Sequence, residues 1–273
     1  MTPYKKLSKL FKIFKNKRRD LRINVVLNYA IEEKIRLLNT LYEYLDKTFA
    51  KYELACKPGC SLCCTQKIYA TSIEAFYILE DLKEEDLKTL ENLENYPRPK
   101  ITHNQTILCY MEGVEPPVEE PFENLGSCPF LTDENLCKIY PKRPLMCRIM
   151  VSTEPCQKGS AQIPPFLFQV GTISMQLVEN IDIGGVYGSL FDLLKFLNLY
   201  KKGLADEVPQ TLLNNIDVDE LPILPEEDEL RRWVGALYRT PVNKDDLTFR
   251  ELLNELRERF KNYETLDFLK EIF

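Results

Sequence analysis

The chain has 273 residues, 44% of them apolar, with a net charge of −6 and nine cysteines against a single histidine. The apolar share excludes a disordered chain, and the length suffices for a hydrophobic core in one large or two small domains. The charge is uneven: residues 1–22 hold nine Lys and Arg against one acid, Asp20, and the rest stands at −14, with 27 Lys and Arg against 41 Asp and Glu. An acidic body argues against nucleic acid as the main partner.

The N-terminus is basic and amphipathic. Leu7, Leu10, Phe11 and Phe14 follow helical spacing with lysines between them, so a helix is expected there. A second apolar stripe, Leu27, Ile31, Leu38, Leu41 and Leu45, predicts a helix over about 25–52. Neither stretch has the uninterrupted apolar run and small-residue cleavage site of a secretion signal. The expected location is the cytoplasm, where thiols stay reduced. No transmembrane segment is expected, because the most apolar region, 166–199, is broken by Glu179, Asp182 and Asp192.

Lys57-Pro58-Gly59 interrupts the helical pattern. Helix resumes at Thr71, which is spaced from Glu74 for a capping box, and is expected to run to about Asp81. Another is expected over about 83–96, stopping before Pro97. Residues 97–127 read as a long loop with a short strand at 106–111. The region after Pro165 reads as apolar and mostly helical. Ser189–Lys202 predicts a helix closed by Gly203, and Gly184-Gly185 before it a turn and helix entry. Residues 204–225 are acidic and proline-bearing and read as a linker. Helices are expected over about 225–238, 245–263 and 266–273, with Trp233 in the core.

Eight cysteines form a pattern in two parts. Cys56-x3-Cys60-x2-Cys63-Cys64 comes first; after 63 residues come Cys128, Cys137, Cys147 and Cys156, spaced by eight to nine. In a reduced compartment such clustering reads as metal ligation, not disulfides. Soft or borderline metals favour thiolates, and four of them suit either zinc or a cubane iron–sulfur cluster. Eight therefore supply one site with spare thiols, or two sites. His103, in a predicted loop, makes a mixed Cys/His site a poor fit. Lys57, Lys138, Lys142, Arg143 and Arg148 lie within five residues of the cysteines, placed to offset thiolate charge. Neighbouring side chains diverge, so of Cys63 and Cys64 one can ligate while the other packs, bridges or serves a second centre. Cys109 stands apart and reads as a buried bystander. Cys56-x3-Cys60-x2-Cys63 also has the spacing of radical S-adenosylmethionine enzymes, but helices, a proline-rich loop and more cysteines follow, not alternating strands and helices.

"CKPGCSLCC" followed by "CPFLTDENLCKIYPKRPLMCR" resembles the YkgJ-type cysteine-cluster family, described as zinc- or iron-chelating. Cys56, Cys60, Cys63, Cys64, Cys128, Cys137 and Cys147 each match a position of its pattern, and "MCRIMVSTEPCQKG" is similar to a branch that adds Ser152 and Cys156. The resemblance is close over about 55–159 and loose to about 199. It implies a small helical metal-binding domain. A related group, the flagellin lysine N-methylases, carries a similar cysteine block.

The expected fold is thus mainly α, with an irregular metal-centred cysteine-cluster core, little β and flanking helices. The expected domains are a helical segment at 1–54, the metal-binding domain at 55–203 and an acidic helical extension at 204–273. The expected metal ligands are Cys56, Cys60, Cys63, Cys64, Cys128, Cys137, Cys147 and Cys156, and the cofactor an iron–sulfur cluster or, alternatively, Zn2+. Expected partners are the metal or cluster and a protein surface. A protein lysine N-methyltransferase and a zinc-stapled adaptor are the alternative roles.

Overall fold

The computed structural model describes residues 30–260 apart from 120, 123–124, 157–160, 206 and 243–246. The helices expected around 7–14 and 266–273 lie outside these residues.

Among the described residues the protein is mainly α. Helix α1 covers 30–49 and buries Ile31, Leu38, Leu41 and Leu45, the predicted stripe apart from Leu27, which lies outside the described residues. Strand β1 (Tyr69–Thr71) leads into α2 (Ser72–Leu79), and α3 (Glu84–Glu91) follows. The capping box at the start of α2 is present: the Thr71 side chain accepts from the third helical residue, whose Glu74 carboxylate accepts from Thr71 N–H. Beyond a 3-10 turn (Tyr140–Lys142), the short α5 (Leu145–Ile149) packs on the long α6 (Pro165–Ile181). Gly171 permits that approach, since a Cβ there would lie 3.3 Å from Ile149 Cβ. Strand β2 (Val186–Ser189) and α7 (Leu190–Lys201) come next, then β3 (Leu213–Asn214), α8 (Asp228–Tyr238) and α9 (Phe249–Phe260). Gly203 adopts φ +68° just past α7, as expected of its C-terminal cap.

The strands form one antiparallel sheet in the order β1-β2-β3. Tyr69 pairs with Ser189, Thr71 with Tyr187, and Val186 with Asn214. A single hydrophobic cluster draws on Leu38 and Leu41 of α1, Ile173 and Leu177 of α6, Leu193 and Leu197 of α7, Trp233 of α8 and Leu252 of α9. Trp233 donates its indole N–H to Thr48 Oγ1 at 2.8 Å, so its polar tip is satisfied inside that core.

Three expectations change. The stretch 103–111 is a helix, α4 (His103–Met111), and not a loop with a strand. Its β-prone residues are overruled by a second capping box, Thr102 with Gln105, and by Glu179, whose carboxylate accepts from Asn104 N at 2.9 Å. The turn at Gly184 (φ +79°) leads into strand β2 before the helix. Residues 204–225 are not a free linker: Ile216 N donates to Glu179, Val218 N donates to Asn180, and Gln176 Nε2 donates to Val218 O. The segment is a strap over α6.

One fully buried polar feature joins four elements. Lys34 of α1, fully buried, donates to Asp182 Oδ1 at 3.3 Å and to Ile183 O at 2.7 Å. Asp182 Oδ2 accepts from Ser72 Oγ, Ile73 N and Asn215 Nδ2. Burying two charges is tolerable only with this degree of hydrogen bonding. A side chain at Gly185 would overlap both Asp182 and Ser72.

Candidate metal centre

The cysteine segments are irregular backbone clamped to the helical core. The chain turns sharply at Lys57-Pro58-Gly59-Cys60, where Cys60 N donates to Lys57 O at 2.9 Å and Gly59 has φ +89°. This is a type II turn, with Pro at the position that favours it and Gly at the position whose positive φ calls for it. A hairpin follows Cys128. Leu131 bridges to Cys137, Lys138 N donates to Phe130 O, and Asn135 occupies the left-handed region at its tip. The 3-10 turn and α5 then carry the chain from Cys137 to Cys147.

Two backbone links close the sequence gap between the cysteine halves. Cys128 N donates to Cys64 O at 3.0 Å, beside an antiparallel bridge between Thr65 and Ser127. Ala55 N donates to Ser152 O at 2.8 Å, which sets Cys56 next to the 152–156 loop. Ser61 Oγ donates to Asn135 Oδ1 at 3.1 Å, tying the first motif to the hairpin tip.

The thiols divide by environment. Cys128 belongs to the hydrophobic core, and Cys64, Cys137 and Cys147 pack against it. Cys56, Cys60 and Cys63 are exposed, and Cys156 is half-buried away from that cluster. Cys64 lies within electrostatic reach of Cys128, Cys137 and Cys147, and Cys56 within reach of Cys60, Cys63 and Cys156. Cys63 and Cys64 touch. The shared hydrogen bond holds the Cys63 proton and lowers Cys64, the most readily ionised thiol of its group. Burial pushes Cys128 up to about 11 and raises Cys147 too, where Cys128 and Cys137 add to the effect. All nine cysteines carry free thiols. Among the described residues, no three His, Cys, Asp or Glu side chains stand ready to clasp one ion. The donors in each group of four are nevertheless of the right chemistry for a tetrathiolate metal or a cubane cluster.

Of the five cations near the cysteines, three have carboxylate partners of their own. Lys138 pairs with Asp86, Lys142 with Glu80 and Asp81, and Arg148 with Asp46. Arg143 remains as electrostatic relief for a thiol, lowering Cys137 against the effect of its burial. Arg148 instead braces the turn: Nε donates to Arg143 O, Nη2 to Pro141 O and Nη1 to Asp46 Oδ2. His103 opens α4 and is not in a loop. Its Nε2–H donates to Thr172 O at 3.1 Å. Cys109, also on α4, is half-buried.

Sequence reasoning missed Glu74 as a site residue, taking it only as half of a capping box. The buried carboxylate also accepts from Leu145 N and Tyr42 O–H, both at 2.7 Å. It thereby anchors the start of α5, two residues before Cys147. A capping box predicts the local bond alone; the other two partners are 71 and 32 residues away.

Comparison with known families finds a match to these irregular cysteine loops. Residues 55–164 match the family described as "CxxCxxCC: Putative zinc- or iron-chelating domain", the cysteine-cluster family that the motifs resemble. The segment therefore carries a domain of the zinc- or iron-chelating type, with one residue more between Cys56 and Cys60 than the family's printed pattern. No curated protein and no solved structure matches the chain. No helix among the described residues is long and apolar enough to cross a membrane.

Proposed function

We propose that this protein binds metal through an all-cysteine site in two parts, and that the resident group is an iron–sulfur cluster. The observation that carries the reading is the pair of backbone links, Cys64 to Cys128 and Ala55 to Ser152, which bring both halves of the cysteine pattern together. Cys56, Cys60, Cys63, Cys64, Cys128, Cys137, Cys147 and Cys156 are the proposed ligands. An iron–sulfur cluster supplies one-electron chemistry when bound, and the protein holds the thiolates and tunes their charge and exposure. Zinc is the second reading, favoured by the same fourfold sets of thiols, and would make the site a staple for the surrounding loops.

Anaerobic purification with metal analysis and visible absorption separates the two. Brown protein containing iron and sulfide supports the cluster, and colourless protein with stoichiometric zinc replaces it with the second reading. In either case Cys60→Ala is expected to lower metal content and raise proteolysis between 128 and 156. Unchanged values for both would make the two halves independent of any metal. Lysine N-methylation is the alternative reading, raised by the similar cysteine block of the flagellin lysine N-methylases. Titration of S-adenosylmethionine into the protein tests it, and the absence of heat exchange would remove it.

A further inference from the structure

The adjacent cysteines Cys63 and Cys64 belong to different surroundings. Cys64 packs against the core together with Cys137 and Cys147, around the buried Cys128. Cys63 is exposed, like Cys56 and Cys60. The two backbone links are also separate: one joins Cys64 to Cys128, the other joins the residue before Cys56 to the loop of Cys156. The two thiols meet, yet one faces solvent and the other packs against the core, so one metal is poorly served by both neighbours.

We infer that the chain holds two metal centres whose boundary passes between Cys63 and Cys64. The inner centre takes Cys64, Cys128, Cys137 and Cys147; the outer takes Cys56, Cys60, Cys63 and Cys156. This rests on the metal-binding reading above and goes beyond it in number, membership and behaviour. The electrostatic reach of the thiols falls along the same division except at Cys63, which also reaches Cys64 and Cys147. That exception places the two centres side by side, meeting at the adjacent pair. Each set of four thiolates satisfies a tetrahedral ion completely, so neither centre needs the other's ligands. The inner centre is backed by Phe130 and Leu145 of the core and relieved by Arg143, so it retains its metal. The outer centre faces solvent from a turn and a loop, so a chelator reaches it directly.

The test uses the full chain reconstituted with zinc ion alone, followed by metal analysis and release to a chromogenic chelator. Two zinc per chain, released in a fast and a slow phase of equal size, is the expected result. Cys63→Ser and Cys156→Ser are each expected to retain one zinc and only the slow phase. Cys64→Ser and Cys137→Ser are expected to lose the slow phase. Should either inner variant fail to fold, the two outer variants still decide the matter. One zinc in the wild type, or loss of all zinc from Cys63→Ser or Cys156→Ser, would overturn the two-centre inference while leaving metal binding intact. No zinc in the folded wild type under reducing conditions would instead remove the metal-binding reading beneath it.

Discussion

Single buried side chains set the pH behaviour of this fold. Glu179 lies within α6 and accepts from the backbone N–H groups of Asn104 and Ile216. Burial outweighs those bonds and pushes its carboxyl up to about 7 from 4.5. The folded protein therefore holds this proton more tightly than the unfolded chain does. Stability from this group is fully present below pH 4.5 and is lost as pH rises to 7, by about 3 kcal/mol across that window. Glu179→Gln cannot ionise. Its amide is expected to cost some stability at every pH, by facing one N–H with another, but to flatten the slope. Denaturant unfolding at pH 5 and pH 7.5 measures this, and equal slopes in wild type and variant would refute it.

At the scale of elements, the question is what holds irregular loops to helices. Residues 137–149 have one short helix and one 3-10 turn, too little regular structure to fix themselves. Arg148 supplies the brace by hydrogen-bonding Arg143 O and Pro141 O while reaching Asp46 on α1. Its guanidinium also lies 4.0 Å over the ring of Tyr42. A lysine has one point charge where this site uses a planar fork. Arg148→Lys is expected to destabilise the fold by about 1–3 kcal/mol through the stranded carbonyls, and to speed cleavage between 137 and 149. Thermal unfolding and limited proteolysis check the two parts.

The whole molecule is a helical core with a metal-chelating segment built onto it. Leu38, Leu177, Leu193, Leu237 and Leu252 are buried in that core from five helices, none of which carries a proposed ligand. The cysteine segments contribute little regular structure. Metal removal by chelator in the presence of reductant is therefore expected to leave the far-ultraviolet circular dichroism almost unchanged. Trypsin is expected to cut faster after Lys138, Lys142 and Arg148, between 128 and 156. Collapse of the helical signal would mean instead that the metal supports the entire fold, as in small zinc domains that are unfolded without it.

By itself the sequence determined the local features: the apolar stripe of α1, the capping box of α2, the end of α7 at Gly203, the Pro-Gly turn and the presence of a cysteine segment of the zinc- or iron-chelating type. Each depends on residues within a few positions of one another, where spacing and backbone preference carry the information. Tertiary structure completed α4: besides the local Thr102–Gln105 capping box, Glu179 and Ile216 of the strap, both distant in sequence, bond to Asn104 and hold a stretch whose own residues lean toward strand. It also decided the sheet, whose strands β1 and β2 are more than a hundred residues apart, and the second role of Glu74. The adjacent Cys63 and Cys64 show the division most clearly. Their spacing named them as candidate ligands, but which neighbours each one faces depends on contacts made more than sixty residues away.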